Sequence, residues 1–120
     1  MDNFTIVRPE HLNHHGYLFG GVMLKWVDEN AWMAASRDFP GRNMVTVGMD
    51  ACRFRQRVEN GSILRFHMSK VRQGTTSVTY NVDVFADAPG AASEYEVFNV
   101  TVSFVGLDDK GKPVALADQP

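Results

Sequence analysis

The chain has 120 residues and one cysteine, and its formal charge at neutral pH is −2. That length suits one compact domain, and the near-neutral charge argues against a nucleic-acid surface. Cys52 alone cannot form an internal disulfide and fits a reducing compartment, while no basic-then-apolar leader and no bilayer-length apolar run stands in the sequence, so the expectation is a cytoplasmic protein.

In chain order, Phe4 to Val7 is a short apolar run stopped by Arg8-Pro9 and predicts a strand. Glu10 to Leu18 reads as a loop. From Gly20 to about Arg37 the apolar residues recur with helical spacing, and Phe39-Pro40-Gly41 ends the pattern. On a helical wheel Met23, Val27, Ala31 and Ala34 centre the apolar sector, with Leu24 and Ala35 beside it. Lys25, Glu29 and Ser36 fall opposite, Trp26, Trp32 and Met33 add apolar bulk elsewhere, and a mostly buried helix is expected, either wrapped by a curved sheet or at a subunit interface. Lys25 and Glu29 are spaced to pair across one turn.

The period then changes to two. Val45, Val47 and Met49 alternate with Thr46, Gly48 and Asp50, and Ile63 to Val71 is a weaker strand candidate. Val78, Tyr80, Val82 and Val84 alternate with polar residues, and Val97 to Leu107 is rich in β-branched residues and phenylalanine. Asn60-Gly61, Gln73-Gly74, Ala88-Pro89-Gly90 and Asp109-Lys110-Gly111 mark the turns, and residues from about 109 to 120 read as a loose tail. One strand, one helix and a run of strands on short turns predict an α+β domain, residues 1–120, with a mainly antiparallel sheet packed on the helix. So small a core, with so apolar a helix, also favours oligomerisation.

The segment that carries chemistry is Asn13-His14-His15-Gly16-Tyr17-Leu18-Phe19-Gly20-Gly21, followed by Trp26-Val27-Asp28-Glu29. Glycines at a helix start leave backbone N–H groups open to a substrate, and the helix dipole favours negative charge there, an oxyanion included. A carboxylate inside an apolar helix is costly to bury, which marks Asp28 for chemistry. Glu29, on the polar side, reads as structural. Asn13 either orients a reactant through its amide or merely makes an Asx turn.

These residues resemble the hot-dog-fold acyl-CoA thioesterases, whose motif runs Asn-x-x-Gly-x-x-Phe/His-Gly-Gly before a helix with an acidic residue. Gly74-Thr75-Thr76-Ser77-Val78 and Phe104-Val105-Gly106-Leu107-Asp108 with Gly111-Lys112-Pro113 are similar to further family elements. Leu12, Arg57 and Asn60-Gly61-Ser62 depart from the usual pattern. The resemblance implies a curved antiparallel sheet wrapped around one central helix. It implies chains paired edge to edge, with active sites at the dimer interface and assembly to a tetramer or hexamer.

On that resemblance the substrate is an acyl-CoA thioester, and no metal or redox cofactor is implied. Asp28 is general base or nucleophile, Asn13 orients water or the thioester carbonyl, and Gly20 and Gly21 offer the oxyanion N–H. His14 and His15 line the entrance and, with Gly16 and Phe19, contact the substrate. Gly74, Thr75, Thr76 and Ser77, with Arg57 and Arg72 from a basic patch that includes Arg53, Arg55 and Lys70, contact coenzyme A. The alternative for the patch is a solvated strand face, and for Ser77 an ordinary hairpin.

Two further points come from the residues. Gly20 and Asp28 lie eight positions apart, about 12 Å along a helix. One helix cannot easily serve one carbonyl with both, whereas a symmetric dimer can. His11, His14 and His15 fall in a segment that reads as loop, with no cysteine near, so no metal site is expected; His67 reads as structural and Cys52 as a half-buried strand residue. Tyr17, Phe19, Met23 and Trp32 are either acyl-pocket or core residues. A hydratase would need a His/Asp or His/Glu pair that is not found, and a non-catalytic acyl-CoA or lipid-binding module would need neither Asp28 nor Asn13.

Overall fold

The computed structural model describes residues 1–116. Strand β1 (Asp2–Ile6) leads through a 3₁₀ turn (Pro9–His11) to helix α1 (Gly20–Asp38). Strands β2 (Asn43–Phe54), β3 (Ile63–Gln73), β4 (Ser77–Asp87) and β5 (Tyr95–Leu107) follow. All pairings are antiparallel and the sheet order is β1-β3-β4-β5-β2, so β1 and β2 are its edges. The α+β layout expected from the periodicities is the one observed, with α1 packed against β2 to β5.

Alternation explains the core. Leu64, Phe66 and Met68 of β3, Val78, Tyr80, Val82 and Val84 of β4, and Phe98, Val100, Val102 and Phe104 of β5 point at the helix and are buried. Met23, Val27, Ala31, Ala34 and Ala35 meet them, the alanines letting helix and sheet approach closely. Buried Asn30 bonds the Trp26 carbonyl through Nδ2 (2.8 Å) and accepts from Asn3 Nδ2 (2.6 Å), which fastens β1 to the helix. At the far end the buried Tyr80 hydroxyl donates to Asp38 Oδ2 at 2.7 Å.

Within one chain the sheet does not cover the helix all round: Trp32 is 46% exposed and Met33 is exposed beside it. Several other expectations need correction. The alternation in β2 is real but its phase is reversed. Met44 and Thr46 face the helix, and Val45 and Val47 point outward, Val47 with 60% of its surface open. Strand β2 ends at Phe54, so Arg55 and Arg57 lie beyond it and continue no regular strand face from Arg53. Register shifts at Thr46/Gly48 and Asp50/Arg53, the latter around Ala51 at φ 53°, leave Cys52 exposed rather than half-buried.

The tail is not loose as far as it is described. Val114 N–H bonds the Gly106 carbonyl, Leu116 N–H bonds the Thr75 carbonyl (both 2.9 Å), and Leu116 is buried. Residues 117–120 lie outside the described residues. No Lys25–Glu29 ion pair forms among the described residues. His67 has the structural role expected, contacting Asp2 across the β1–β3 ladder.

Candidate active site

The segment before the helix is tighter than a plain loop. Leu12 and Leu18 face each other in a β-bridge, and Asn13 N–H bonds the Tyr17 carbonyl at 2.7 Å. Leu18 N–H reaches the Val58 carbonyl and Phe19 N–H the His11 carbonyl, both at 2.9 Å. Asn13 Oδ1 accepts from the backbone N–H of His15 (2.9 Å) and Tyr17 (3.2 Å). The Asx turn is therefore present. Because both donors fix which amide atom is oxygen, the Nδ2 group is turned away from them and has no partner among the described residues.

Helix α1 starts at Gly20 with Phe19 as N-cap, and Phe19 contributes no side-chain cap. Its carbonyl receives Val22 N–H (3.0 Å) and Met23 N–H (3.2 Å), while the N–H groups of Gly20 and Gly21 remain open. No acidic side chain sits in the first turn to cancel the partial positive charge. A Cβ on Gly20 would lie 3.3 Å from the Phe54 ring, and one on Gly21 2.7 Å from the Phe19 ring. The glycine pair thus lets an aromatic ring close over each residue.

Asn13, His15, Tyr17 and Gly20 line a groove of about 660 Å³ with Phe54 and Arg57. Leu18, Met23, Val58 and Val97 give it an apolar floor. The Arg57 guanidinium stacks on Tyr17 at 4.6 Å. Arg55, also in the wall, is engaged by Glu96 (3.2 Å) and Asn99 Oδ1 (3.0 Å). His14 is exposed with its ring 3.9 Å from that of His15, and His14, Gly16, Phe19 and Gly21 do not line the groove. His11 turns the other way, accepting the Arg8 N–H and packing on Trp26.

Asp28 lies elsewhere. It is half-buried and opens on a second hollow of about 420 Å³ with Glu29, Trp32 and Met33. Thr46 Oγ1 donates to Asp28 Oδ1 at 2.7 Å, and Trp32 Nε1 donates to the Met44 carbonyl at 3.0 Å, so both ends of this hollow are tied to β2. Sheet register gives the separation. Phe54 stands opposite Phe98 and Thr46 opposite Phe104, six positions apart on β5, or about 20 Å of strand.

The third expected group sits at the Asp28 end. Val78 and Ser77 pair with Phe104 and Val105, which pair with Thr46 and Val45. In the hairpin, Gly74 N–H bonds the Ser77 carbonyl (2.8 Å) and the Thr76 carbonyl accepts from Gly106 (2.9 Å). Gly74, Thr75, Gln73 and Ala115 line a shallow hollow there. Arg72, bonded to Thr79 Oγ1 at 3.4 Å, has no carboxylate partner among the described residues. Sequence reasoning missed Thr46 and Phe54. Thr46 sat on the polar side of an alternation, and only a reversed phase turns it toward Asp28.

A helix whose open N-terminus faces a groove, set against a curved antiparallel sheet, defines a class. Residues 15–93 match the thioesterase superfamily, and the chain belongs to it, with the hot-dog fold. Acyl-CoA thioester hydrolase YciA of Escherichia coli K12 is 29% identical over 115 residues, covering 93% of this chain and 86% of that protein. The hexameric thioesterase of Yersinia pestis superposes with a TM-score of 0.90 at 26% identity, covering 98% and 94% of the two chains. An acyl-CoA hydrolase of Staphylococcus aureus, solved with butyryl coenzyme A, coenzyme A and coenzyme A disulfide, superposes with a TM-score of 0.89 at 28% identity, covering 97% and 70%. Alanine variants of that hydrolase at an asparagine, an aspartate and a threonine have also been solved. Its asparagine and aspartate are 15 positions apart, as are Asn13 and Asp28 here. Its threonine follows the aspartate by 17 positions; Thr46 follows Asp28 by 18.

Proposed function

We propose that this protein hydrolyses acyl-CoA thioesters to the carboxylic acid and coenzyme A, in sites shared between two copies of the chain. The observation that carries this reading is the separation within one chain of the Asn13–Gly20 groove from the Asp28 hollow. Neither half is a complete site for one carbonyl. Facing Asp28 of one protomer toward the helix N-terminus of its partner joins them. The shared 15-residue spacing from asparagine to aspartate in the Staphylococcus aureus hydrolase supports the pairing of roles.

In this mechanism Asp28 is the general base. Thr46 holds Oδ1 and leaves Oδ2 to take a proton from water. The hydroxide adds to the thioester carbonyl carbon, and the charge moves to its oxygen. That oxygen is met by the open N–H groups of Gly20 and Gly21 and by Asn13 Nδ2. Collapse breaks the C–S bond, and the thiolate leaves with the proton that Asp28 took. Arg57, Arg72 and the Gly74–Ser77 hairpin are assigned to coenzyme A; the guanidinium groups match its phosphates.

The minimal unit is a homodimer formed along β2, whose outward Val45 and Val47 and adjacent Trp32 and Met33 present apolar surface at a sheet edge. Assembly of dimers to a hexamer follows the Yersinia pestis relative. An exposed Cys52 suits the reducing cytoplasm, and no helix among the described residues is long and apolar enough to cross a membrane.

The test is thiol release from a panel of short, long and aromatic acyl-CoAs, with wild type and Asp28→Asn. Turnover by wild type that collapses in the variant supports hydrolysis. Tight acyl-CoA binding by both proteins without turnover replaces it with a non-catalytic binding module.

A further inference from the structure

Phe54 is the last residue of β2, and the register shift before it sets its ring on the helix side of the sheet. The ring rests on buried Phe98, with centroids 4.6 Å apart, and lies over Gly20. It is nevertheless 56% exposed, because its other side forms a wall of the Asn13–Gly20 groove. An exposed phenylalanine held on two sides by protein and open on the third to a groove is not a core residue. It also lies beside the open N–H group of Gly20, where no side chain on the helix itself competes for the space.

We propose that Phe54 is the specificity-determining residue that limits the bulk of the acyl group next to the thioester carbon. The proposal rests on the hydrolase reading above and goes beyond it by naming the substrate class: acyl groups that are straight and slender near the carbonyl. A carbonyl oxygen directed at the Gly20 N–H brings its acyl carbons alongside the Phe54 ring. An unbranched chain can lie flat against that ring, with Leu18, Met23 and Val97 beneath it. A branched or aryl group near the carbonyl meets the ring edge instead. Phe98 and Gly20 back the ring, so it cannot retreat into the protein without displacing a fully buried side chain or helix backbone.

The experiment is kcat/KM for butyryl-CoA and phenylacetyl-CoA with wild type, Phe54→Leu, Phe54→Ala and Phe54→Trp. The leucine variant keeps the space beside Phe98 filled if alanine weakens the fold. The ratio of phenylacetyl to butyryl turnover is expected to rise about tenfold or more in Phe54→Ala, since pocket size differences of a few carbons discriminate on that scale. It should rise less in Phe54→Leu and fall in Phe54→Trp. A ratio that stays constant through the series, whatever happens to the absolute rates, overturns the assignment and leaves Phe54 a supporting residue. Absence of thiol release from either substrate and from the wider panel by wild type overturns the hydrolase reading itself, and this inference with it.

Discussion

The Thr46 hydroxyl donates a 2.7 Å hydrogen bond to Oδ1 of Asp28, joining the carboxylate of the central helix to an edge strand of the sheet. Asp28 is thereby held in one rotamer at the mouth of its hollow rather than swinging in solvent. Replacing Asp28 with Asn keeps the shape and the acceptor for Thr46 but removes the base, so thiol release is expected to fall by about 10²- to 10⁴-fold. The melting temperature should stay close to wild type.

Thr46 acts through Asp28, so its variants should separate positioning from bulk. Thr46→Val preserves size and β-propensity but removes the donor. A drop in kcat of about tenfold with KM nearly unchanged is expected, in line with a lost charge-assisted hydrogen bond. Thr46→Ser restores the hydroxyl and should recover most of the rate. Equal losses in both variants would mean that Thr46 matters only for packing.

A shared site makes a prediction that a one-chain site does not. Asn13→Ala and Asp28→Asn should each be inactive alone. Co-expressed, a mixed dimer has one site with both defects and one with none. Random pairing then returns about a quarter of wild-type activity for a twofold dimer. No recovery in purified mixed dimers would place Asn13 and Asp28 of one chain in the same site.

The edge of β2 is the surface on which that dimer depends. Val47 points away from the core, so Val47→Lys leaves the fold of one chain intact while placing charge at the proposed seam. Light scattering should show a smaller species, circular dichroism an unchanged sheet and helix, and thiol release a loss comparable to the Asp28 variant. A fully active assembly of unchanged mass would move the interface elsewhere.

Stability at alkaline pH should report on the other end of the helix. Burial, then the hydrogen bond and negative charge of Asp38, push the Tyr80 hydroxyl well above its usual value. The folded state therefore favours the protonated phenol. Its contribution is complete below about pH 10, where the unfolded tyrosine ionises, and declines as pH rises further. Tyr80→Phe should cost about 1 kcal/mol at neutral pH and flatten the alkaline decline in urea melts. An unchanged decline would assign it to other groups.

Much of this was legible along the chain. Helical spacing of Met23, Val27, Ala31 and Ala34 with a glycine pair before it and Pro40-Gly41 after it marks α1 to within a residue. The two-residue period of β4 and β5 marks strands whose inward residues are the buried ones. These features are local: backbone hydrogen bonding and side-chain periodicity over a few residues decide them. The Asn13, Gly20 and Asp28 candidates were also legible, because motif spacing is a property of the chain.

Other features depended on contacts between distant segments. Thr46 meets Asp28 through the phase in which β2 docks on the helix, with Met44 and Thr46 inward, and the register shifts that follow turn Phe54 toward Gly20. A bulge adds one residue to one strand against its partner, so it exists only in the pairing with β5 and leaves no mark in the periodicity of β2 alone. The docking of Leu116 against Thr75 and Gly106 is of the same kind, since a short segment with few apolar residues has no pattern until a neighbouring hairpin supplies its partners. Residue types and their spacing along the chain determined the elements and nominated the chemistry. Tertiary packing alone decided what completes the hollow at each of Asn13 and Asp28, because the docking of β2 sets Phe54 in the wall of one and ties Thr46 to the carboxylate of the other.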